Sequence, residues 1–296
     1  MNILITGGTG FIGKSLLKQL DNLGHQLTLV SRSPKKYSAQ IPANVITVSS
    51  LNHFSHLDDF DVVINLAGEP IFNHRWSEAQ KQQLITSRLT TTQKLVDLIN
   101  QSAQPPHTFI SGSAIGYYGD HPQLMMTEKM PAAEDFLGQL CKQWEEIALQ
   151  ANSRVCLLRT GLVLGSYGGV LGRILPLYRH WLGGQLGDGK QFWSWISLPD
   201  MINAIIFLMD NPECRGAFNM VSPNPVTNQE FNQTLSRLMK RAAILHIPSF
   251  LLKTLLGERS CLLLNSQKVY PEKLLKAGFQ FECPTLETTL SKILNN

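Results

Sequence analysis

Residues 2 to 14, Asn-Ile-Leu-Ile-Thr-Gly-Gly-Thr-Gly-Phe-Ile-Gly-Lys, constrain what this chain can fold into more than any other stretch. The apolar run Ile3 to Ile5 gives way to glycines at Gly7, Gly10 and Gly13. Apolar residues at helical spacing follow, at Ile12, Leu16, Leu20 and Leu23, closed by Gly24. This order predicts strand, glycine turn and helix. Gly7 can take the positive φ of a tight turn, and Gly10, lacking a Cβ, lets backbone N–H groups approach a pyrophosphate. Gly13 lets the helix lie close on the strand. A glycine triplet alone is common; the strand before it and the helix after it are the context a dinucleotide fingerprint requires.

Residues 26 to 31 read as a second strand, which ends in Ser31-Arg32-Ser33-Pro34-Lys35-Lys36. In dinucleotide folds a carboxylate at this point binds a ribose 2′-hydroxyl and repels a 2′-phosphate, whereas an arginine accommodates the phosphate. No acidic residue stands here and Arg32 does, followed by two lysines, so NADP is expected rather than NAD. The plainer reading of these cations is a solvated loop.

Further strands are predicted at 45–48, 60–66, 108–114 and 155–158, alternating with helical segments, among them a long one from Ser77, a suitable N-cap, to about Gln101. The alternation predicts an α/β fold: a Rossmann doubly wound parallel sheet with helices on both faces. Residues 1–165 would form the dinucleotide domain, with about 190–222 returning to it. Residues 166–189 and 223–296 would form a small, mainly C-terminal substrate region. In the returning part, 193–197 reads as a strand and 199–209 as a helix; in the substrate region, 228–240 and 248–256 read as helices, and a last helix starts near Leu286. Leu66, Ala67 and Gly68 close the fourth strand beside the cofactor, small enough at 67 and 68 for the backbone to pass under it. Ser111 and Ser113 leave the fifth strand, followed by Gly116-Tyr117-Tyr118-Gly119, and make the best acid/base cluster in the chain. Against this stands the reading that tyrosines pack and serines cap.

With 296 residues, 43% of them hydrophobic, the chain can bury a large core. A formal net charge of +4 without a long basic run does not indicate a nucleic-acid groove. The five cysteines form no C-x-x-C pair and the eight histidines no H-x-x-x-H pair, so neither a disulfide framework nor a metal is expected. No apolar stretch suffices to span a bilayer and a strand pattern begins at once, so a cytoplasmic protein with reduced thiols is expected, off the membrane. Its partner would be a small-molecule substrate, with room for a homodimer. No G-x-S-x-G surrounds Ser111 or Ser113, which disfavours a hydrolase.

Several of these motifs carry a resemblance. The segments Thr6-Gly-Gly-Thr-Gly-Phe-Ile-Gly13, Asn65-Leu-Ala-Gly68 and Ser111-Gly-Ser-Ala-Ile-Gly-Tyr-Tyr-Gly119 resemble the extended short-chain dehydrogenase/reductases, the sugar-nucleotide epimerases and dehydratases. Arg75-Trp76, Ser87-Arg88, Trp144-Glu145, residues 159–165 and 183–191, Trp195-Ile196, Asn219, Pro271 and residues 278–281 extend the likeness to the atypical NADP-type "epimerase family". The resemblance implies hydride transfer, transient as in epimerases, on a carbinol or carbonyl carbon. The cofactor-binding set it implies comprises Gly7, Thr9, Gly10, Phe11, Ile12, Gly13, Arg32, Leu66, Ala67, Gly68, Ser111 and Arg159. It also implies that the glycine-rich segment from Gly165 to Gln191 covers the cofactor. Two departures stand out. Members normally carry Y-x-x-x-K on the helix after strand five; Lys142 falls at the lysine position, but four residues earlier stands Gly138. Ser197 stands where a histidine is frequent. The catalytic candidates are therefore Ser113, polarising a carbonyl, Tyr117 or Tyr118 as substitute proton donor, and Lys142 in support. The other reading is an NADP-binding sensor without turnover.

Overall fold

The computed structural model describes residues 1–295. Seven strands make its central sheet: β1 (Asn2–Thr6), β2 (Gln26–Val30), β3 (Ile46–Val48), β4 (Val62–Asn65), β5 (Thr108–Ala114), β6 (Arg154–Thr160) and β7 (Gly216–Met220). Their order is β7-β6-β5-β4-β1-β2-β3, with every neighbouring pair parallel. The order reverses between β1 and β4, and a doubly wound sheet opens its ligand crevice beyond the strand ends at such a point.

Alternation along the strands explains the two covered faces. Ile3 and Ile5 of β1, Val62 and Ile64 of β4 and Cys156 and Leu158 of β6 pack on one side. They meet Leu16, Leu17 and Leu20 of α1 (Phe11–Asn22). Leu4, Val63, Val155 and Leu157 point the other way, against Leu95, Val96 and Ile99 of α2 (Glu78–Asn100) and Ala148 of α3 (Phe136–Ala148). Ser77 caps α2 as its sequence suggests, its Oγ accepting from the Gln80 N–H at 3.2 Å.

A separate cluster joins Leu171, Leu175 and Tyr178 of α4 (Gly169–Arg179) to Trp193, Trp195, Phe231 and Leu235. Leu286 and Leu290 of the C-terminal helix (Leu286–Asn295) complete it. The glycine-rich stretch 165–191 contains the eleven-residue α4. One local expectation changes here. The expected strand 193–197 breaks at Ser194: Phe192–Trp193 pairs with Val226–Thr227, and Trp195–Ser197 pairs with Leu162–Leu164. At the break the Ser194 Oγ donates to Gln267 O at 2.7 Å and accepts from Val269 N at 2.8 Å. Among the described residues no helix is long and apolar enough to cross a membrane, and no group of three metal-capable side chains assembles.

Candidate dinucleotide site and the network behind it

The turn after β1 is shaped by close backbone approach. Gly7 has φ +73°, and a Cβ there would lie 2.4 Å from the carbonyl carbon and oxygen of Leu66, beyond β4. Leu66 and Ala67 thus run directly beside the turn. The Gly10 N–H donates to Gly7 O at 3.0 Å, and Gly10 caps α1 without a side chain. The first N–H groups of α1, which no residue inside the helix can satisfy, are left for an anion. Gly13 meets the turn itself rather than the strand: its Cβ would sit 2.4 Å from Gly7 O. Thr9 and Ile12 flank the turn, half-buried.

Phe11 faces elsewhere. Cβ atoms at Gly165, Gly168 and Gly169 would all lie within 3 Å of its ring, which also meets Tyr167 edge-on at 5.9 Å between centroids. Those glycines therefore make room for Phe11, and the Ser15–Tyr167 hydroxyl contact of 2.6 Å fastens the same segment to α1. Any part of Phe11 in cofactor binding falls to its backbone. Arg32 is exposed just beyond β2, after the buried Ser31. The Lys35 side chain lies outside the described residues.

Below the exit of β4, a buried chain of hydrogen bonds fixes the Asn65–Gly68 run. Thr6 Oγ1 donates to Asn65 Oδ1 at 2.6 Å, and Asn65 Nδ2 and Trp144 Nε1 both donate to Thr92 Oγ1 at 2.8 Å. Thr92 in turn donates to Arg88 O. Ser111, paired with Asn65 across β5 and β4, is fully buried, and its Oγ has no partner among the described residues. An orphaned buried hydroxyl at this strand end calls for a ligand or a water.

The residues singled out after β5 do come together, but largely to satisfy one another. Ser113 Oγ donates to Glu145 Oε1 at 2.6 Å. Arg159 grips the same carboxylate with two bonds of 2.8 Å, Nε to Oε1 and Nη2 to Oε2. Its Nη1 donates to the Tyr118 hydroxyl at 2.9 Å, and that hydroxyl donates to Asn219 Oδ1 at 2.6 Å. Burial, the largest single influence, would lower the Arg159 pKa, but Glu145 and Tyr118 together outweigh it and hold the guanidinium charged. The Arg159 guanidinium is thus committed to Glu145 within the protein, which corrects its expected place in the cofactor set. Tyr118 is fully enclosed, and burial, opposed by the nearby Arg159, pushes its pKa to about 12. Enclosed in this way, it does not serve as proton donor to an open cleft. Tyr117 is half-buried with the Arg159 guanidinium 3.5 Å from its ring centroid.

Lys142 requires a correction too. It is exposed, while the buried face of α3 carries Leu137, Gly138, Cys141, Trp144 and Glu145. The inward positions of α3 include Leu137 and Cys141, each one residue before Gly138 and Lys142. Burial pushes the Cys141 thiol to about 12, leaving it neutral. Glu145, Asn219 and Asn65 stand in quoted motifs without a role being legible; Glu146 follows Glu145 directly and is exposed, so the sequence alone does not single out Glu145.

Comparison with known proteins agrees with this architecture. Residues 3–222 match the NAD dependent epimerase/dehydratase family, and residues 247–293 match a domain of unknown function, DUF1731. The chain is 36% identical over 302 residues to the epimerase family protein SDR39U1 homolog, chloroplastic, of Arabidopsis thaliana, covering 99% of this chain and 87% of that protein. It is 38% identical over 296 residues to epimerase family protein SH2119 of Staphylococcus haemolyticus, covering 99% and 98%. The crystal structure of human epimerase family protein SDR39U1 (isoform2) with NADPH superposes with a TM-score of 0.92 at 35% identity, covering 100% of both chains. By sequence, sheet order and glycine turn, the chain belongs to the NAD dependent epimerase/dehydratase family.

Proposed function

We propose that this protein binds NADP(H) in the crevice between β1 and β4 and uses it for hydride transfer at a carbinol or carbonyl carbon of a small substrate. The observation that carries the reading is the uncapped α1 behind Gly7 and Gly10, combined with a β2 end that bears Arg32 and no carboxylate. The residues fit the cofactor: the turn exposes N–H groups to a pyrophosphate, Ser111 offers an unpartnered hydroxyl, and Arg32 suits a 2′-phosphate. The human relative crystallised with NADPH supports the same choice.

When bound, the nicotinamide supplies or accepts the hydride. The chain's own residues anchor the phosphates, orient the cofactor through Leu66–Gly68 and handle the proton. Ser113 and Tyr118 are occupied by Glu145 and Asn219, so the proton falls to Tyr117. Its hydroxyl forms no hydrogen bond to another described residue, and the Arg159 cation holds its ring in place. Oxidation of NADPH against a panel of aldehydes and ketones tests this. Tyr117→Phe is expected to lower turnover by about 100-fold or more, in the range of general acid–base catalysis. A Tyr117→Phe protein as fast as the parent would remove Tyr117 from the mechanism.

Leu137 and Cys141 at the inward positions of α3 favour a second reading, a cofactor-occupancy sensor. Tight NADPH binding with no nicotinamide oxidation across the whole panel decides for the sensor; oxidation by any member decides against it.

A further inference from the structure

The face beside the second apolar cluster is not closed by polar residues. Past the end of α4, Trp181 and Leu182 are exposed, and Ile244, at 82%, is the most exposed large apolar side chain among the described residues. These residues are neighbours. Leu245–Ile247 pairs in parallel with Gly184–Leu186, Leu245 opposite Gly184, so the chain enters both strands at one end, from Trp181-Leu182 and from Ile244. The Arg241 guanidinium lies over the Trp181 ring, 4.8 Å from its centroid. Leaving the other end of the pair, the helix Ser249–Leu256 fully buries only Leu252. Phe250, Leu251 and Leu255 are exposed at helical spacing along one side of it, Phe250 by 69%.

Single exposed apolar residues are ordinary, whereas a cluster marks a contact surface. Residues 177–182 and 244–255 hold eight of the fifteen exposed large apolar side chains among the described residues, so this is a cluster. Its charge has one sign. No Asp or Glu occurs from Gly165 to Gly187 or from Phe231 to Gly257. Arg179, Lys240, Arg241 and Lys253 stand exposed in these stretches, and among the described residues none of them forms a salt bridge. A second copy of the chain is a poor match, because a two-fold contact through this face sets these cations against their own copies. Protein surfaces carry both signs of charge, and protein interfaces are depleted of Lys. Trp, Phe and Leu interleaved with Lys and Arg match instead a lipid interface with negative headgroups.

We propose that this face docks the protein on an anionic lipid surface, with Trp181, Leu182, Ile244 and the outer side of the helix Ser249–Leu256 entering the acyl boundary and the four cations meeting headgroup phosphates. Docking of this kind needs no spanning helix, and it revises the expectation of a protein kept off the membrane. It is independent of the NADP(H) reading.

Cosedimentation of the full chain with two kinds of vesicle tests it, one of phosphatidylcholine alone and one of equal parts phosphatidylcholine and phosphatidylglycerol. The parent should bind the mixed vesicles about tenfold or more tightly than the neutral ones, and added salt should weaken that binding. The double variant Phe250→Ser, Leu255→Ser should bind the mixed vesicles about tenfold or more weakly than the parent. Lys240→Glu with Arg241→Glu, which removes no apolar group, should lower binding by a similar factor. All four side chains are exposed, so the urea midpoint should stay at the parent's value in both variants. No binding to the mixed vesicles, equal binding to both kinds, or either variant binding as the parent does would overturn the proposal. A parent dimer that Phe250→Ser, Leu255→Ser turns into a monomer, with neither protein binding vesicles, would assign the face to a second copy. A monomeric parent that ignores both vesicles would leave it to an acidic protein partner and overturn the lipid assignment equally.

Discussion

Glu145 and Arg159 are 5% and 4% exposed and hold each other through two parallel hydrogen bonds, with Ser113 and Tyr118 completing their valences. Removing one partner of such a pair strands the other in a medium that solvates charge poorly. Glu145→Gln is therefore expected to destabilise the protein by about 3–5 kcal/mol, read from the urea midpoint. A loss below about 1 kcal/mol would mean that Arg159 finds another partner. Tyr118 belongs to the same network and gives it a pH signature. Its pKa rises from 10.0 to about 12 on folding, mainly through burial. The folded chain thus keeps a proton that the unfolded chain loses, so the contribution is complete below pH 10 and disappears as pH rises to about 12. Tyr118→Phe should be less stable than the parent at neutral pH and lose less further stability between those limits. Parallel pH curves for the two proteins would contradict the account.

At the scale of elements, the glycine turn and α1 are the most demanding pair. Gly13→Ala puts a methyl group 2.4 Å from Gly7 O, on backbone that cannot rotate away. The expected result is a cost of about 1–3 kcal/mol in thermal stability and a much weakened NADPH affinity. Unchanged binding would show that the turn's shape does not matter to the ligand. This pair was also the most legible in the sequence, because a buried parallel strand must be a continuous apolar run and its tight turn must be glycine. Strands β4 and β6 share that legibility through their own apolar runs, Val62-Val-Ile64 and Val155-Cys-Leu-Leu158. Strand β7, Gly-Ala-Phe-Asn-Met, escaped because it sits at a sheet edge and only Phe218 and Met220 give it an apolar signal. The expected place of Lys142 failed for a physical reason: Gly138 and Cys141 both lie on the buried face of α3, and spacing alone does not say which of two adjacent positions points inward. Only the exposure of Lys142 resolves it.

At the scale of the molecule, a doubly wound sheet provides the cofactor crevice and a second apolar cluster, from Leu164 to Leu290, forms beside it. The sequence made the crevice readable because phosphate binding relies on backbone geometry, which glycine reports directly. The acid/base centre was less readable, since whether a Ser, Tyr or Arg serves chemistry or a buried network depends on partners distant in sequence. Tyr118 and Asn219 are 101 residues apart. The central claim is that the crevice is built for NADP(H), with Arg32 reading its 2′-phosphate, and titration calorimetry with NADPH and NADH tests it most directly. The parent should bind NADPH about tenfold or more tightly than NADH, and Arg32→Asp should abolish that preference by weakening NADPH alone. Equal affinity of the parent for the two cofactors, or an equal loss of both in Arg32→Asp, would contradict it.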